Sequence, residues 1–172
     1  VRIFSGGLIS HWKAEGDATD DHGNNDGTLF GGAGFDPNSQ VGQGFLLDGV
    51  GDYVRVPHNA NLDPGTGSFT IKGWIKTSVA DNIQGIVSKS ERSGALGENN
   101  PSFYILRTNQ LGKFTAQLQN DDTSQFSQVF TGSTLIADGA FHHIAFVRDV
   151  LAGEARLYVD GAIDLGATTQ YF

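Results

Sequence analysis

Apolar and polar residues alternate with a period of two along most of the chain. The clearest run is SFTIKGWIKT at residues 68–77, where Phe69, Ile71, Gly73 and Ile75 alternate with Thr70, Lys72, Trp74 and Lys76. Successive side chains of a strand point to opposite faces, so this run predicts a long strand with one apolar face and a tryptophan turned toward the other. The same reading predicts strands at residues 8–13 (LISHWK, with Trp12 as an aromatic anchor), 27–30 (GTLF), 83–89 (IQGIVSK) and, more weakly, 125–130. Residues 102–107 and 113–119 form a predicted hairpin around 109–112, and residues 141–148 and 154–159 form another that Asp160-Gly161 closes. The best-signalled pair lies in FLLDGVGDYVRVP at residues 45–57. Its apolar runs, 45–47 and 53–56, flank a turn from Asp48 to Asp52, and Gly49 and Gly51 allow the backbone a positive φ there. That predicts a hairpin with Tyr53 as a large core aromatic.

Between these runs lie polar connections: the acidic EGDATDDHGNND at 15–26, the glycine-rich 31–44, a turn at 62–65, and SERSGALGENNP at 90–101. No segment carries sustained helical periodicity or a capping box. About eleven short strands with frequent turns predict an all-β fold of two antiparallel sheets packed face to face. The 24 Gly and four Pro among 172 residues agree, and the length suits a single domain over 1–172. The chain has no Cys, which excludes disulfides, zinc-thiolate sites and cysteine catalysis. A net charge of −8 argues against nucleic acid and anionic membranes as partners. There is no apolar run of membrane-spanning length. The first residues, VRIFSGGLIS, lack both Met and a signal-peptide apolar core, so an excised or processed piece is expected.

A series of spaced motifs then lines up. Trp12-x-Ala14-Glu15-Gly16, Asp20, Gly27-Thr28-Leu29, Val41-Gly42-Gln43-Gly44-Phe45, Asp52-Tyr53-Val54, Phe69-Thr70, Trp74-Ile75, Ile86-Val87-Ser88-Lys89, Asp138-Gly139, His142-His143-Ile144-Ala145 and Leu157-Tyr158-Val159-Asp160-Gly161 follow in order. Over residues 8–166 this resembles the LamG-like jelly-roll domains of the concanavalin A-like lectin/glucanase group, relatives of laminin G domains and pentraxins. The resemblance implies an antiparallel β-sandwich, an extracellular or cell-surface setting, and roles in carbohydrate binding or adhesion. Such domains continue to a closing strand of the type G-x-I-D-E-V-R-I-Y, whereas this sequence ends at Tyr171-Phe172. Two expectations follow: a domain cut short, or a closing strand supplied by a neighbouring chain through strand exchange.

Two polar loops carry the candidate ligands. The acidic loop offers many hard oxygen donors within twelve residues, as Ca²⁺ needs with its six to eight oxygens, although the EF-hand pattern is absent. The resemblance implies Glu15 and Asp20 as ligands of a structural Ca²⁺, with Asn24 beside them; the alternative is a solvated acidic turn. Glu98, Asn99 and Asn100 lie where the pentraxin relatives place part of a calcium-dependent ligand site, and their side chains suit sugar hydroxyls or Ca²⁺. A plain loop is the alternative reading. Asp48 and Asp52 are expected to accept hydrogen bonds from turn amides. His142 and His143 cannot face the same side of a strand, so one should pack inside and the other face solvent. Trp12 and Trp74 read as core residues in preference to sugar platforms.

The resemblance includes glycoside hydrolases, which need two carboxylates held at a fixed spacing on a rigid surface. The nearest match here, Glu15-x-Asp17-x-x-Asp20, falls in a loop, and no nucleophile elbow, phosphate loop or HExxH motif is present. The sequence therefore predicts no enzyme. It predicts a recognition module that binds a glycan or an extracellular protein, with a structural assembly unit as the alternative and an atypical glycoside hydrolase as the weaker one.

Overall fold

The structure, a computed structural model, describes residues 7–89, 102–120, 127–164 and 169–170. The chain divides into two compact units, Val1–Leu62 and Asp63–Phe172. Regular structure is β throughout, apart from one 3-10 turn at Ala60–Leu62, and every described strand pair is antiparallel.

In the first unit four short strands pair in a nested order. β1 (Thr28–Phe30) pairs with β4 (Tyr53–Arg55), and β2 (Gly34–Asp36) pairs with β3 (Gly44–Leu46) between them. The expected hairpin between 45–47 and 53–56 is thus corrected, because its two halves pair with different partners. The reason is the carboxylate of Asp52, which accepts the N–H of Gly32 with Oδ1 and that of Asp48 with Oδ2. These bonds draw the 48–52 turn onto the 31–33 connection. A Cβ on Gly31 would come within 2.6 Å of the Gly51 carbonyl oxygen, and its φ of 70° favours glycine in any case. Asp48 Oδ1 accepts Val50 N–H at 2.6 Å, so both aspartates cap turn amides as their positions imply. Tyr53 stacks on Phe30 with ring centroids 4.9 Å apart but is 48% exposed. It is not the core aromatic that the alternation predicts, because its strand is three residues long and, among the described residues, pairs on one edge only. Residues 8–13 likewise form no strand. Their ladder is reduced to one bridge between Trp12 and Asp20.

The second unit is a sandwich. One sheet runs β12 (Ala162–Ile163), β11 (Glu154–Val159), β10 (Phe141–Asp149), β5 (Phe69–Lys76), with β13 (Thr169–Gln170) also pairing with β11. The other runs β6 (Gly85–Lys89), β7 (Ser102–Thr108), β8 (Lys113–Asn120), β9 (Ser127–Leu135). Their facing sides share one apolar layer. Leu106, Phe114, Ala116, Leu118 and Phe130 from the second sheet meet Ile144, Phe146, Ala155, Leu157 and Val159 from the first, with Ile136 beside them. The registers explain which residues enter. Ile71 lies opposite Phe146, Gly73 opposite Ile144 and Ile75 opposite His142, so the apolar set predicted at 68–77 joins the even-numbered residues of β10 on one face. Asp160-Gly161 connects β11 to β12, while the β10–β11 turn is at 150–153.

Arg148 and Asp164 are among the polar residues buried in this unit. Arg148, at the end of the core face, donates from Nε to Gly67 O at 2.7 Å and from Nη2 to Gly65 O at 2.6 Å, and its guanidinium lies 4.7 Å from the Phe69 ring centroid. Asp164 Oδ1 accepts the N–H and O–H groups of both Ser133 and Thr134. Gly132 leaves room for that carboxylate, since a Cβ there would lie 1.8 Å from Asp164 Oδ2.

Candidate functional site

The acidic loop is built around Asp20, which is buried. Its Oδ1 accepts the N–H groups of His11 (2.8 Å), Gly23 (3.0 Å) and His22 (3.2 Å), and its Oδ2 accepts Asn25 N–H at 3.1 Å. Burial acts to raise the pKa of this carboxyl, but the amides of Gly23, His11 and His22 and the Ser10 hydroxyl outweigh it and hold the group well below the usual carboxylate range. Asp26 in turn accepts Asp20 N–H at 2.9 Å, and Trp12 donates its indole N–H to Asn25 O at 2.8 Å. Trp12 thus serves the loop through its polar edge.

These placements bear on the calcium expectation. Glu15 is exposed and accepts Gln43 N–H at 3.2 Å, and Asn24 is exposed. One buried acceptor of the loop, Asn25 Oδ1, has no hydrogen-bond partner. A calcium ion draws six to eight oxygens, and one free buried acceptor beside a carboxylate already engaged by four amides does not make that shell. Among the described residues no three His, Asp or Glu side chains are grouped to hold a metal ion. As placed, Glu15, Asp20 and Asn24 fit a loop pinned by hydrogen bonds. Glu98, Asn99 and Asn100 lie outside the described residues.

The second unit presents a different surface. On β5 the residues at 70, 72, 74 and 76 point away from the apolar layer and are exposed. Trp74 is 44% exposed, which corrects the expectation of a core tryptophan, although the alternation at 68–77 had already turned it to the second face. It is registered opposite His143 on β10, with ring centroids 5.3 Å apart and planes at 71°. The next row places Ala145 between Lys72 and Tyr158, and the row after it places Val147 between Thr70 and Arg156. Lys76 Nζ lies 5.1 Å from the Phe141 ring centroid, and Arg156 is paired with Glu154. Since the Ala145 methyl is the shortest side chain in this array, it forms a low floor. Around it stand an indole, an imidazole, a phenol and an ammonium group. Such a surface offers an exposed aromatic face with polar groups at its margin. The signal in the sequence was one aromatic residue set among polar ones on the solvent side of an alternating strand.

Beside this face, His142 takes the inward place that the alternation allowed to one histidine. Its side chain is 12% exposed and touches two carboxylates: Nδ1 is 2.8 Å from Asp160 Oδ2 and Nε2 is 3.1 Å from Asp138 Oδ1. Burial acts to lower its pKa, but the hydrogen bonds and charges of Asp160 and Asp138 outweigh it, and the net shift is upward. His142 holds Asp160 below the usual carboxylate range, and the Ala140 amide followed by His142 does the same for Asp138.

Among the described residues no helix is long and apolar enough to cross a membrane. The two facing antiparallel sheets define the class as a concanavalin A-like β-sandwich. The family profile described as Concanavalin A-like lectin/glucanases superfamily, of the laminin G type, matches residues 48–171, and the chain belongs to that family. No curated protein sequence matches it significantly. Among solved structures it is similar to the 2.1 Å crystal structure of an S-layer domain-containing protein (residues 221–444) from Clostridium thermocellum. The TM-score is 0.55 and the identity 20%, over 96% of this chain and 73% of that one.

Proposed function

We propose that the chain is a non-catalytic, extracellular recognition module that binds carbohydrate on the outer face of β5, β10 and β11. The observation that carries this reading is Trp74, 44% exposed in the middle of a paired strand and bordered by Lys72, Lys76 and His143, with Tyr158 on the same face two strands away. An indole in that place costs apolar exposure in the free protein and provides a flat surface for the C–H face of a pyranose, while the bordering donors take its hydroxyls. The non-catalytic part rests on the Glu15-x-Asp17-x-x-Asp20 stretch. Asp20 is ionised far below neutral pH and its oxygens face amides, so it has no proton to donate to a leaving group.

The test is a glycan array with the wild-type chain and Trp74→Ala, run with and without EDTA. Wild-type binding lost in Trp74→Ala and retained in EDTA supports the reading. Equal binding by both proteins overturns it, and binding lost only in EDTA returns the site to the Glu98, Asn99 and Asn100 loop with Ca²⁺. Reducing sugar released from a β-glucan, and abolished by Glu15→Gln, would overturn the non-catalytic part. A second reading, an assembly unit that accepts a strand from a neighbour, is favoured by β5. This eight-residue strand ends its sheet and pairs only with β10 among the described residues. Concentration-dependent association in sedimentation velocity supports that reading, and a single monomeric species across the range removes it.

A further inference from the structure

The His142 ring sits at the end of the core face of β10 with an oxygen of a different carboxylate against each nitrogen. Carboxylates at neutral pH only accept, so both contacts are hydrogen bonds only when both ring nitrogens carry hydrogen. That is the imidazolium form. A neutral ring has one N–H, and its other nitrogen then turns a lone pair on a carboxylate oxygen, so one of the two arms must open.

The two arms differ. On the Asp160 side, Oδ2 meets Nδ1 at 2.8 Å, Oδ1 accepts His143 N–H at 2.9 Å, and the Asp160 N–H donates to His143 O at 2.8 Å. Three bonds fix that residue in a backbone conformation with φ 51°. On the Asp138 side the ring contact is longer, at 3.1 Å, and the carboxylate also accepts Ala140 N–H. Asp138 lies in the turn that leads into β10, where Gly139 N–H donates to Thr77 O at the end of β5. No other charged group faces the ring among the described residues. β5 presents Ile75 opposite it, Lys76 lies over Phe141 on the other face, and His143 bears on Asp160.

The geometry points to a proton-dependent latch, in which the charged His142 ring ties the 138–140 turn to the turn after β11 and its neutral form releases the Asp138 arm. The residue next to that turn is Phe141, on the same face as Trp74, so release loosens the end of the proposed binding face. The latch holds or fails without any ligand, and its failure would leave the carbohydrate reading untouched.

The sign follows from linkage. The folded-state pKa of His142 is raised above 6.5, so its contribution is complete below that value and is lost as pH rises through the folded value. The test is an NMR titration of the whole chain that follows the His142 ring nitrogens together with amide exchange at Gly139 and Ala140. Expected are two ring N–H groups at pH 6, a midpoint above 6.5, and several-fold faster exchange at those two amides across the same midpoint. In Asp138→Asn, an exposed site, the midpoint should fall toward 6.5. In His142→Gln the step in exchange should vanish. A wild-type midpoint at or below 6.5, exchange that ignores the titration, or an unmoved midpoint in Asp138→Asn overturns the latch. Should His142→Gln fail to fold, the wild-type and Asp138→Asn titrations decide.

Discussion

The two units are held by different forces. Residues 63–172 close around a continuous apolar layer in which Phe114, Ile136, Phe146 and Leu157 have no solvent exposure. In residues 1–62 the only buried apolar side chains among the described residues are Ala14 and Ala18, while Leu8, Ile9, Val41, Leu46, Val50 and Tyr53 are exposed. That unit takes its shape from carboxylates that gather backbone amides, Asp20 in the acidic loop and Asp52 across two connections. An apolar layer is insensitive to protons and sensitive to volume, whereas a carboxylate knot is the reverse. The second unit is therefore built to keep a sheet face rigid, and the first to hold loops whose shape depends on ionised aspartates.

Substitutions can separate the two. Phe146→Ala, in the centre of the layer, should cost roughly 3–5 kcal/mol and lower the melting temperature of the 63–172 unit cooperatively, as read by calorimetry. Asp20→Ala should cost about 2 kcal/mol by leaving amides without an acceptor, with the loss of exchange protection confined to His11, His22, Gly23 and Asn25. Its deficit should also depend on acid. Asp20 is depressed below its ordinary 3.8, so its contribution is present above 3.8 and fades as pH falls through the lower folded value, and the gap to wild type should narrow there. Equal sensitivity of both units to either change would break the contrast. Tyr53→Ala should cost only about 1 kcal/mol, the worth of its stacked pair with Phe30, since the ring is 48% exposed. Smallest of all, millimolar Ca²⁺ should leave the melting temperature unchanged. A rise of several degrees would show Glu15, Asp20 and Asn24 rearranging around an ion.

The candidate sites were legible to unequal degrees. Trp74 was visible as an aromatic residue on the polar side of an alternating run, yet its neighbour across the sheet, His143 on β10, depends on register. His142 and His143 were separable by parity alone. That both nitrogens of His142 meet carboxylates depended on two Asp-Gly turns, at 138–139 and 160–161, arriving at the same end of β10. In the acidic loop the density of oxygen donors was legible from spacing alone, whereas the folding back of the chain that offers Asp20 its own amides was not.

By itself the sequence determined the class of fold, most of the longer strands of the second unit and the alternation of faces along β5 and β10, because a period of two is a local property of the backbone. It also determined that Asp48 would cap the Val50 amide and Asp52 the Asp48 amide, for those two bonds close over a few residues. Only the tertiary structure decided which strands pair. In residues 45–57 two good local halves were each claimed by a distant partner, once Asp52 drew the Gly32 amide across the chain. Pairing of short strands is set by the non-local bonds that fix the connections, and no pattern inside the segment records them.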